Sequence, residues 1–334
     1  MKKLHAIYQI SSPMFLGNQE GICADTIRPS SFKGVLRFWW RALNWSKCWV
    51  EKHKNQSEAL KLLHQREGKL FGLDADQGGQ GLFLLSLTHD AKNAQTLSYK
   101  EVSKKYGSFL SYGMGGNPRN QAQPPREAIK PEQTFEVTLL AKPQATEQEI
   151  QSVQDAMTLM GLLGSLGAKA RKGFGSLTLQ SVNNQPFIIQ DLQDFQKKLN
   201  QLLTAYPIQK VDLLPPFTAF SQHSKLIKKA SSVIEVNNDY REFLSAHEND
   251  RFKKYFGQPR KHPDPNLYGS MKERRSSPLW IHQFQDSQQN AHTLVLFLPA
   301  QWKANKKTSI ENYQLVNQWL NANGHTPLSL GGSF

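Results

Sequence analysis

The chain has 334 residues, carries a formal net charge of +14 and has a pI near 9.6. An excess of cations of this size favours a polyanionic partner, first nucleic acid and second an anionic membrane surface. No apolar run approaches the ~20 residues that a membrane-spanning helix requires, which argues against a transmembrane protein. The N-terminus lacks the hydrophobic core of a signal peptide, and Cys23 and Cys48 have no metal-binding spacing, so we expect free thiols in a cytoplasmic protein.

The first half of the chain alternates strand and helix patterns. Residues 3–11 place apolar side chains at every second position, as in a half-buried strand, and Pro29 followed by two serines marks a helix start. The segments predicted after it are a short helix at 57–67, strands at 81–88 and 133–141, a helix at 147–163 and a strand at 174–182. This β-α-β-β-α-β order is the ferredoxin-like arrangement, related to the sheet of RNA-recognition modules. Residues 89–132 lack periodicity, and we expect 107–131 to be a mobile loop that orders on a ligand.

The second half of the chain has weaker patterns that predict a second α+β unit. Its predicted segments are a helix at 190–204, a strand-like run at 208–220 interrupted by two prolines, strands at 277–285 and 292–300, and a helix at 308–322. Residues 251–275 interleave eight Lys or Arg with four aromatic residues, the composition that sequence-tolerant binding of single strands requires. The length predicts two domains, which we place at 1–185 and 186–334.

A glycine-rich stretch joins the predicted helix at 147–163 to the strand at 174–182. Five glycines fall between Gly161 and Gly175, together with the cations Lys169, Arg171 and Lys172. Glycine reaches positive φ without steric cost, so such a loop can turn its backbone N–H groups inward and bind an anion such as phosphate. A nucleotide P-loop is excluded because no Lys-Ser/Thr pair follows the second glycine, and a dinucleotide fingerprint is excluded because the loop runs from helix to strand. A flexible turn with solvated lysines is the alternative.

Residues 172–179 come close to an RNA-recognition signature. The signature begins with a cation and Gly173, but it lacks aromatic residues at Ser176 and Leu179. Base stacking in this segment would therefore depend on Phe174 alone.

The helix after Pro29 carries a basic row. Lys33, Arg37 and Arg41 are spaced i, i+4, i+8 and share one face, and Trp40 lies close to that face. A cationic row beside a tryptophan suits an RNA backbone with a stacking partner. A solvated helix face next to a core tryptophan is the alternative.

Catalytic motifs are absent from the sequence: there is no HExxH, no His/Cys cluster and no GxSxG. His5 on the first strand is a candidate general base for metal-independent RNA cleavage, although a lone histidine on a strand is more often structural. Asp74 and Asp76 lack further ligands, so a turn explains them better than a metal. We expect no metal and no cofactor.

Five stretches stand out together: RPSSFKGVLRFWWRAL (28–43), LFG (70–72), GSLGAKARKGFGSL (164–177), RRSSPLWI (274–281) and LVLFLP (294–299). In combination they resemble the RAMP superfamily, and more narrowly the first subunit of the Cmr complex, a type III-B CRISPR RNA-guided effector. They keep the motif order over most of the chain. Compared with the family, Ser165 stands where a glycine is common, and Lys169 and Lys172 stand where arginines are often seen, which keeps charge but loses the planar fork.

The resemblance implies an α+β chain of two ferredoxin-like (RRM-like) domains with the glycine-rich loop before the last strand of the first. It implies a non-catalytic subunit for antiviral defence that caps the 3′ end of the guide RNA and helps to hold the guide–target pair. The implied partners are guide RNA, target RNA and other Cmr subunits, with no membrane. The candidate RNA-binding residues are Arg28, Lys33, Arg37, Trp40, Arg41, Lys169, Arg171, Lys172, Gly173, Phe174, Arg274 and Arg275.

Two rival functions remain open at the level of sequence. The first is a metal-independent RAMP endoribonuclease that processes CRISPR transcripts with His5 as its base. The second is a protein-interaction scaffold whose positive charge meets acidic partner surfaces.

Overall fold

The computed structural model describes residues 2–17, 27–73, 79–89, 95–108, 110–111, 113–116, 124–230, 235, 277–301, 310–321 and 328–330. Cys23, the pair Asp74 and Asp76, and the segment 251–275 with Arg274 and Arg275 lie outside the described residues, as does part of the predicted loop 107–131.

Among the described elements up to residue 186, two helices lie between the first and second strands, a third lies between the third and fourth strands, and a fourth precedes the sixth strand. They are β1 Lys3–Ile10, α1 Pro29–Glu51, α2 Gln56–Phe71, β2 Phe83–His89, β3 Thr96–Leu97, α3 Tyr99–Tyr106, β4 Ala128–Ile129, β5 Thr134–Ala141, α4 Glu147–Leu163, β6 Leu177–Val182 and β7 Gln185–Pro186.

The first sheet has the order β2-β5-β1-β6-β7, and all its pairs are antiparallel. Strand β1 lies at its centre and buries every second side chain, as the alternation in the sequence predicts. On the buried face the ring of Tyr8 packs against Phe32 of α1 and Phe135 of β5, with centroid distances of 5.5 and 5.4 Å. Helices therefore cover one face of this sheet, and the alternate side chains of each strand lie on the other face.

Helix α1 is the longest helix in the described part of the chain and lies at the centre of the hydrophobic core. Its tryptophans Trp39, Trp40, Trp45 and Trp49 are each at most 2% exposed. The helix packs against α2, α4 and the first sheet, so burial of its aromatic face is a large part of what holds the fold together.

Helix α2 extends beyond the predicted 57–67. It begins at the cap Asn55, whose side chain accepts from the Glu58 N–H, and it continues through Gly68 to Phe71. A glycine is needed at position 68 inside the helix because the side chain of Leu73 occupies the space that a Cβ would need. Gly72, at φ +90°, ends the helix.

The segment between β2 and β5 contains structure that the lack of periodicity did not predict. Strands β3 and β4 pair with each other, and α3 begins with a capping box in which Ser98 and Glu101 bond each other's backbone N–H groups. Val102 is the buried apolar residue of this eight-residue helix, which explains why no 3.6-residue pattern is visible.

The described elements after residue 186 form a second antiparallel sheet with helices before and after it. They are α5 Leu192–Thr204, β8 Lys225–Ala230, β9 Leu279–Gln285, β10 Ala291–Phe297, α6 Gln314–Asn321 and β11 Leu328–Ser329, with 3-10 turns at Ile208–Lys210 and Ile310–Tyr313. The order β11-β8-β10-β9 repeats the β6-β1-β5-β2 order of the first sheet. The α+β class with antiparallel sheets is confirmed.

Two details of this half differ from the sequence expectations. The strand-like run 208–220 forms a short 3-10 turn and irregular chain, because its two prolines cannot donate ladder hydrogen bonds, and β8 was not predicted. The turn between β9 and β10 is closed by Asp286, which accepts hydrogen bonds from Asn290 and lies 2.9 Å from the His292 ring. Burial alone would raise the pKa of Asp286, but these hydrogen bonds outweigh it and lower the pKa to about 2.

Both hydrophobic clusters draw on both halves of the chain. The larger one joins α1 and α4 to α5 and the second sheet, and the smaller one joins Phe15 and Phe174 to β9, β10 and α6. The N–H of Gln283 donates to the Ser176 hydroxyl at 3.1 Å, a direct link between β9 and the end of the glycine-rich loop. None of the helices in the described residues is long and apolar enough to cross a membrane.

Candidate nucleic-acid interface

The predicted basic row lies along the side of α1 that the core leaves uncovered. Lys33 is half-buried, and the side chains of Arg37 and Arg41 are 31% and 33% exposed. Burial, and secondly the charge of Arg37, lower the pKa of the Lys33 ammonium. The structure therefore brings the three cations together as the i, i+4, i+8 spacing predicts.

A buried carboxylate holds two members of this row. Glu67 of α2 is 5% exposed, and its Oε1 accepts from Arg37 Nε at 2.6 Å and from an Arg41 terminal nitrogen at 2.5 Å. One negative charge thus fixes two guanidinium groups, leaving one net positive charge. Sequence reasoning missed Glu67, although its place on the apolar stripe of α2, four residues after Leu63, is the signal of a paired carboxylate.

Trp40 does not belong to the exposed face, so its predicted stacking on RNA is wrong. Trp40 is 2% exposed, its Nε1 donates to the Ser152 hydroxyl at 3.1 Å, and its ring packs against that of Phe71 with a centroid distance of 6.1 Å. The basic row drifts about 40° around the helix with each step of four residues, so Arg41 has moved away from Trp40 while α2 and α4 cover the tryptophan.

The glycine-rich loop is a rigid connector. The N–H of Ala168 donates to the Phe15 carbonyl at 2.7 Å, that of Gly175 donates to the Pro13 carbonyl at 2.9 Å, and that of Leu166 donates to the Gly175 carbonyl at 2.8 Å. These N–H groups donate to the protein's own backbone, so the prediction that they turn inward to bind an anion is wrong for them. Gly175, at φ +66°, is needed because a Cβ there would overlap the Leu166 carbonyl.

Gly173 and Phe174 also lie inside the protein. Gly173 is buried at φ +84°, and Phe174 is 0% exposed between Phe15 and Tyr106, at centroid distances of 5.4 and 6.4 Å. The predicted stacking of Phe174 on a base is therefore wrong, since its ring fills the smaller hydrophobic cluster.

Arg171 links the loop to the second sheet. Its guanidinium donates to the Ser277 carbonyl and to the Thr218 hydroxyl, and it lies over the rings of Phe38 and Trp280 at 5.6 and 5.0 Å. Burial lowers its pKa to about 10, so the group stays charged at neutral pH. Its partners are neutral, and the contacts place it between the two halves rather than at an outer edge.

The two loop lysines complete the basic surface. Lys169 adopts φ +61°, a conformation uncommon for a residue with a side chain, and burial lowers the pKa of its ammonium. Burial, then the charges of Lys169 and Arg171, lower the pKa of Lys172 to about 7. Both side chains are half-buried, so the alternative of freely solvated lysines does not fit.

Three clefts meet along α1. One of about 830 Å³ is lined by Lys33, Arg37 and His64, and one of about 370 Å³ by Arg41, His64 and Arg171. The third, also about 370 Å³, separates α1 from Lys169 and Lys172. Helix α1 is the shared wall, so the predicted association of this helix with the loop is present in the structure.

The remaining candidates lie apart from these clefts. Arg28 is exposed at the N-terminal end of α1 and donates to the Gly17 carbonyl at 2.7 Å. His5 lies on the sheet face opposite the helices, with its Nε2 3.3 Å from Glu136. Within the described part of the chain, no group of three or more His, Cys, Asp or Glu could hold a metal ion.

The RAMP superfamily model matches residues 10–178, half of the chain, from the end of β1 through the row on α1 and the whole glycine-rich loop. The chain belongs to the RAMP superfamily. The resemblance seen in the sequence is thereby confirmed at this level. No curated protein is significantly similar to the chain.

Solved structures extend the similarity of this RAMP chain to nearly its full length. The crystal structure of Cmr1 from Pyrococcus furiosus in its apo form is 18% identical, with a TM-score of 0.64 over 99% of this chain and 100% of that chain. A chain in the cryo-EM structure of the type III-B Cmr-beta bound to cognate target RNA and AMPPnP is 13% identical, with a TM-score of 0.66 over 95% and 98%. At these identities the similarity establishes a shared fold.

Proposed function

We propose that this RAMP protein is the RNA-binding first subunit of a type III-B CRISPR effector of the Cmr type. In this role it caps the 3′ end of the guide RNA, helps to hold the guide–target pair, and serves antiviral defence without cleaving RNA. Its partners are guide RNA, target RNA and other Cmr subunits. The whole-length similarity to Cmr1 and to a chain of a target-bound Cmr-beta assembly supports this assignment.

The observation that carries the proposal is the cation set around the α1 clefts. Lys33, Arg37 and Arg41 line one side of the surface and Lys169 and Lys172 the other, with Glu67 as a buried counter-charge already used by two arginines. Lys and Arg that neutralise phosphates supply most of the sequence-independent affinity for nucleic acid. Binding here rests on backbone contacts, since Trp40 and Phe174 are buried.

The two sheets support the further inference of two ferredoxin-like domains. Each has the strand order 4-1-3-2 when its four main strands are numbered along the chain, which is the order that a β-α-β-β-α-β unit produces. The shared hydrophobic clusters argue that the two units act as one rigid support for the basic surface.

A titration of labelled single-stranded RNA, followed by fluorescence anisotropy over a salt series, tests the proposal. The double variant Lys33→Gln/Lys169→Gln should weaken binding to unrelated RNA sequences equally and reduce the salt slope by about 1.4, or about 0.7 for each lysine that is replaced. The control Lys100→Gln/Lys197→Gln removes the same charge from exposed positions that line none of the three clefts. Equally weakened binding in both double variants would contradict a localised site.

The same samples on a denaturing gel test the absence of cleavage. Intact RNA after prolonged incubation is the expected result. Cleavage that disappears in His5→Asn would favour the endoribonuclease, and an absence of RNA binding at low salt would favour the protein-interaction scaffold.

A further inference from the structure

Gly34 has no explanation within the packing of the described residues. It lies inside α1, six residues into a 23-residue helix, where glycine is, apart from proline, the most destabilising residue. Gly34 is exposed, and a Cβ at this position would meet nothing within 4 Å. In contrast, a Cβ on the helical glycines Gly68 and Gly161 would collide with the side chains of Leu73 and Leu179.

Gly34 lines the cleft between α1 and the glycine-rich loop. Val35 and Phe38 continue its wall along the helix, Lys169 and Lys172 face it from the loop, and Trp280 lies beside Phe38 in a stacked arrangement at 5.4 Å. No carboxylate lines this cleft, and among the described residues the Lys169 ammonium has no hydrogen-bond acceptor or ion-pair partner. The site therefore lacks a protein counter-charge and is suited to an anionic ligand.

The geometry of the cations favours a polymer over a single ion. Lys33 and Arg37 flank Gly34 on the helix, and the row from Lys33 to Arg41 extends about 12 Å along the helix axis. One phosphate cannot contact the full row and the loop lysines together, whereas a sugar-phosphate chain can. A missing side chain at the middle of such a path permits close approach of a ligand backbone to the helix.

We propose that Gly34 is the point at which a single-stranded RNA backbone crosses α1, between the Lys33–Arg37 pair on one side and Lys169 and Lys172 on the other. Because Gly34 has no side chain, the ribose-phosphate chain can pass close to the helix backbone at this point. This inference rests on the proposed function and adds to it the path of the strand and a residue that acts by leaving space.

Substitution of Gly34 separates stability from binding. Gly34→Ala should raise Tm by about 1–3 °C, because alanine is the better helix residue and nothing occupies the space of its methyl group. The same change should weaken single-stranded RNA binding by about threefold, and Gly34→Gln by about tenfold, the equivalent of removing one charge-assisted hydrogen bond. Neither variant changes the charge of the protein.

Ser57→Gln is the matched control, since it adds neutral bulk at an exposed position of α2 that lines none of the three clefts. It should leave the RNA affinity unchanged. RNA affinities of both Gly34 variants equal to wild type would overturn the inference while leaving the proposed function intact. A fall in Tm for Gly34→Ala would also overturn it, because the glycine would then serve packing. A wild-type chain that binds no RNA at low salt would overturn the proposed function and this inference together.

Discussion

The buried carboxylate of Glu67 offers the sharpest test of how the basic row works. Breaking a fully buried ion pair by removing one partner costs about 3–5 kcal/mol. Both arginines are about one-third exposed and stay partly hydrated, and glutamine still offers a carbonyl acceptor. We therefore expect Glu67→Gln to lower the free energy of unfolding by about 1–3 kcal/mol, measured by urea denaturation.

The effect of Glu67→Gln on RNA affinity has a sign that discriminates between two roles. If Glu67 only offsets charge, its removal leaves one more positive charge on the row; for an assumed separation of about 6 Å from a bound phosphate this tightens binding by about 0.7–3 kcal/mol for dielectric constants of 80 to 20. If Glu67 positions the guanidinium groups of Arg37 and Arg41, its loss frees two long side chains that RNA must then order, at about 0.5–1.5 kcal/mol each. Because both arginines are partly hydrated, the gain from the charge lies near its lower end of about 0.7 kcal/mol, and the ordering cost of about 1–3 kcal/mol exceeds it, so that binding weakens by about two- to fiftyfold.

An anisotropy titration at fixed ionic strength measures this change. Glu58→Gln is the control, because it removes the same charge from the exposed start of α2, where Glu58 pairs with Lys61. Tighter RNA binding by Glu67→Gln than by wild type would refute the positioning role and show that the carboxylate merely reduces the charge of the surface.

Three further predictions concern protonation and backbone strain. RNA affinity should fall about three- to tenfold from pH 6 to pH 8. Burial lowers the pKa of Lys172 to about 7, so over this range the ammonium loses the proton that phosphate binding favours. Lys172→Met should remove this dependence, as RNA titrations at both pH values would show. The pKa of Asp286 is lowered to about 2, so its stabilising contribution is present above pH 4 and lost as pH falls towards 2. Wild type should therefore lose more Tm over that range than Asp286→Asn does. Gly175→Ala should lower Tm more than Gly79→Ala, since both glycines have φ +66° but only Gly175 would place a Cβ against a carbonyl oxygen.

The strands and main helices of this RAMP fold were predictable because their side chains alternate or recur with clear periods. β1 and β5 each bury every second residue, and α1 begins at Pro29. The end of α2 was mispredicted because Gly68 reads as a stop signal, whereas its actual role is to make room for Leu73, an interaction that no local pattern shows. Tertiary packing decided the outcome.

The charges of the candidate site were predictable, but the exposure of its aromatic residues was not. A row at i, i+4, i+8 lies on one face by helix geometry alone, so Lys33, Arg37 and Arg41 meet as expected. Whether Trp40 faces solvent depends on where α2 and α4 pack, and whether Phe174 does depends on Phe15 and Tyr106. These are long-range contacts, invisible to sequence spacing.

In the proposed function the glycine-rich loop contributes through rigidity rather than through its N–H groups. Hydrogen bonds from Ala168 and Gly175 to the 13–15 segment fix its backbone, and the contacts of Arg171 with Ser277 and Thr218 fix its far end against the second half. Lysines on such a support lose little backbone entropy when a strand binds. The same logic applies to α1, where Glu67 holds Arg37 and Arg41, so the helix and the loop both present cations on a fixed support along the proposed RNA path. A surface of this kind is suited to a nucleic-acid backbone of fixed path, and the buried rings of Trp40 and Phe174 are not available to stack on its bases.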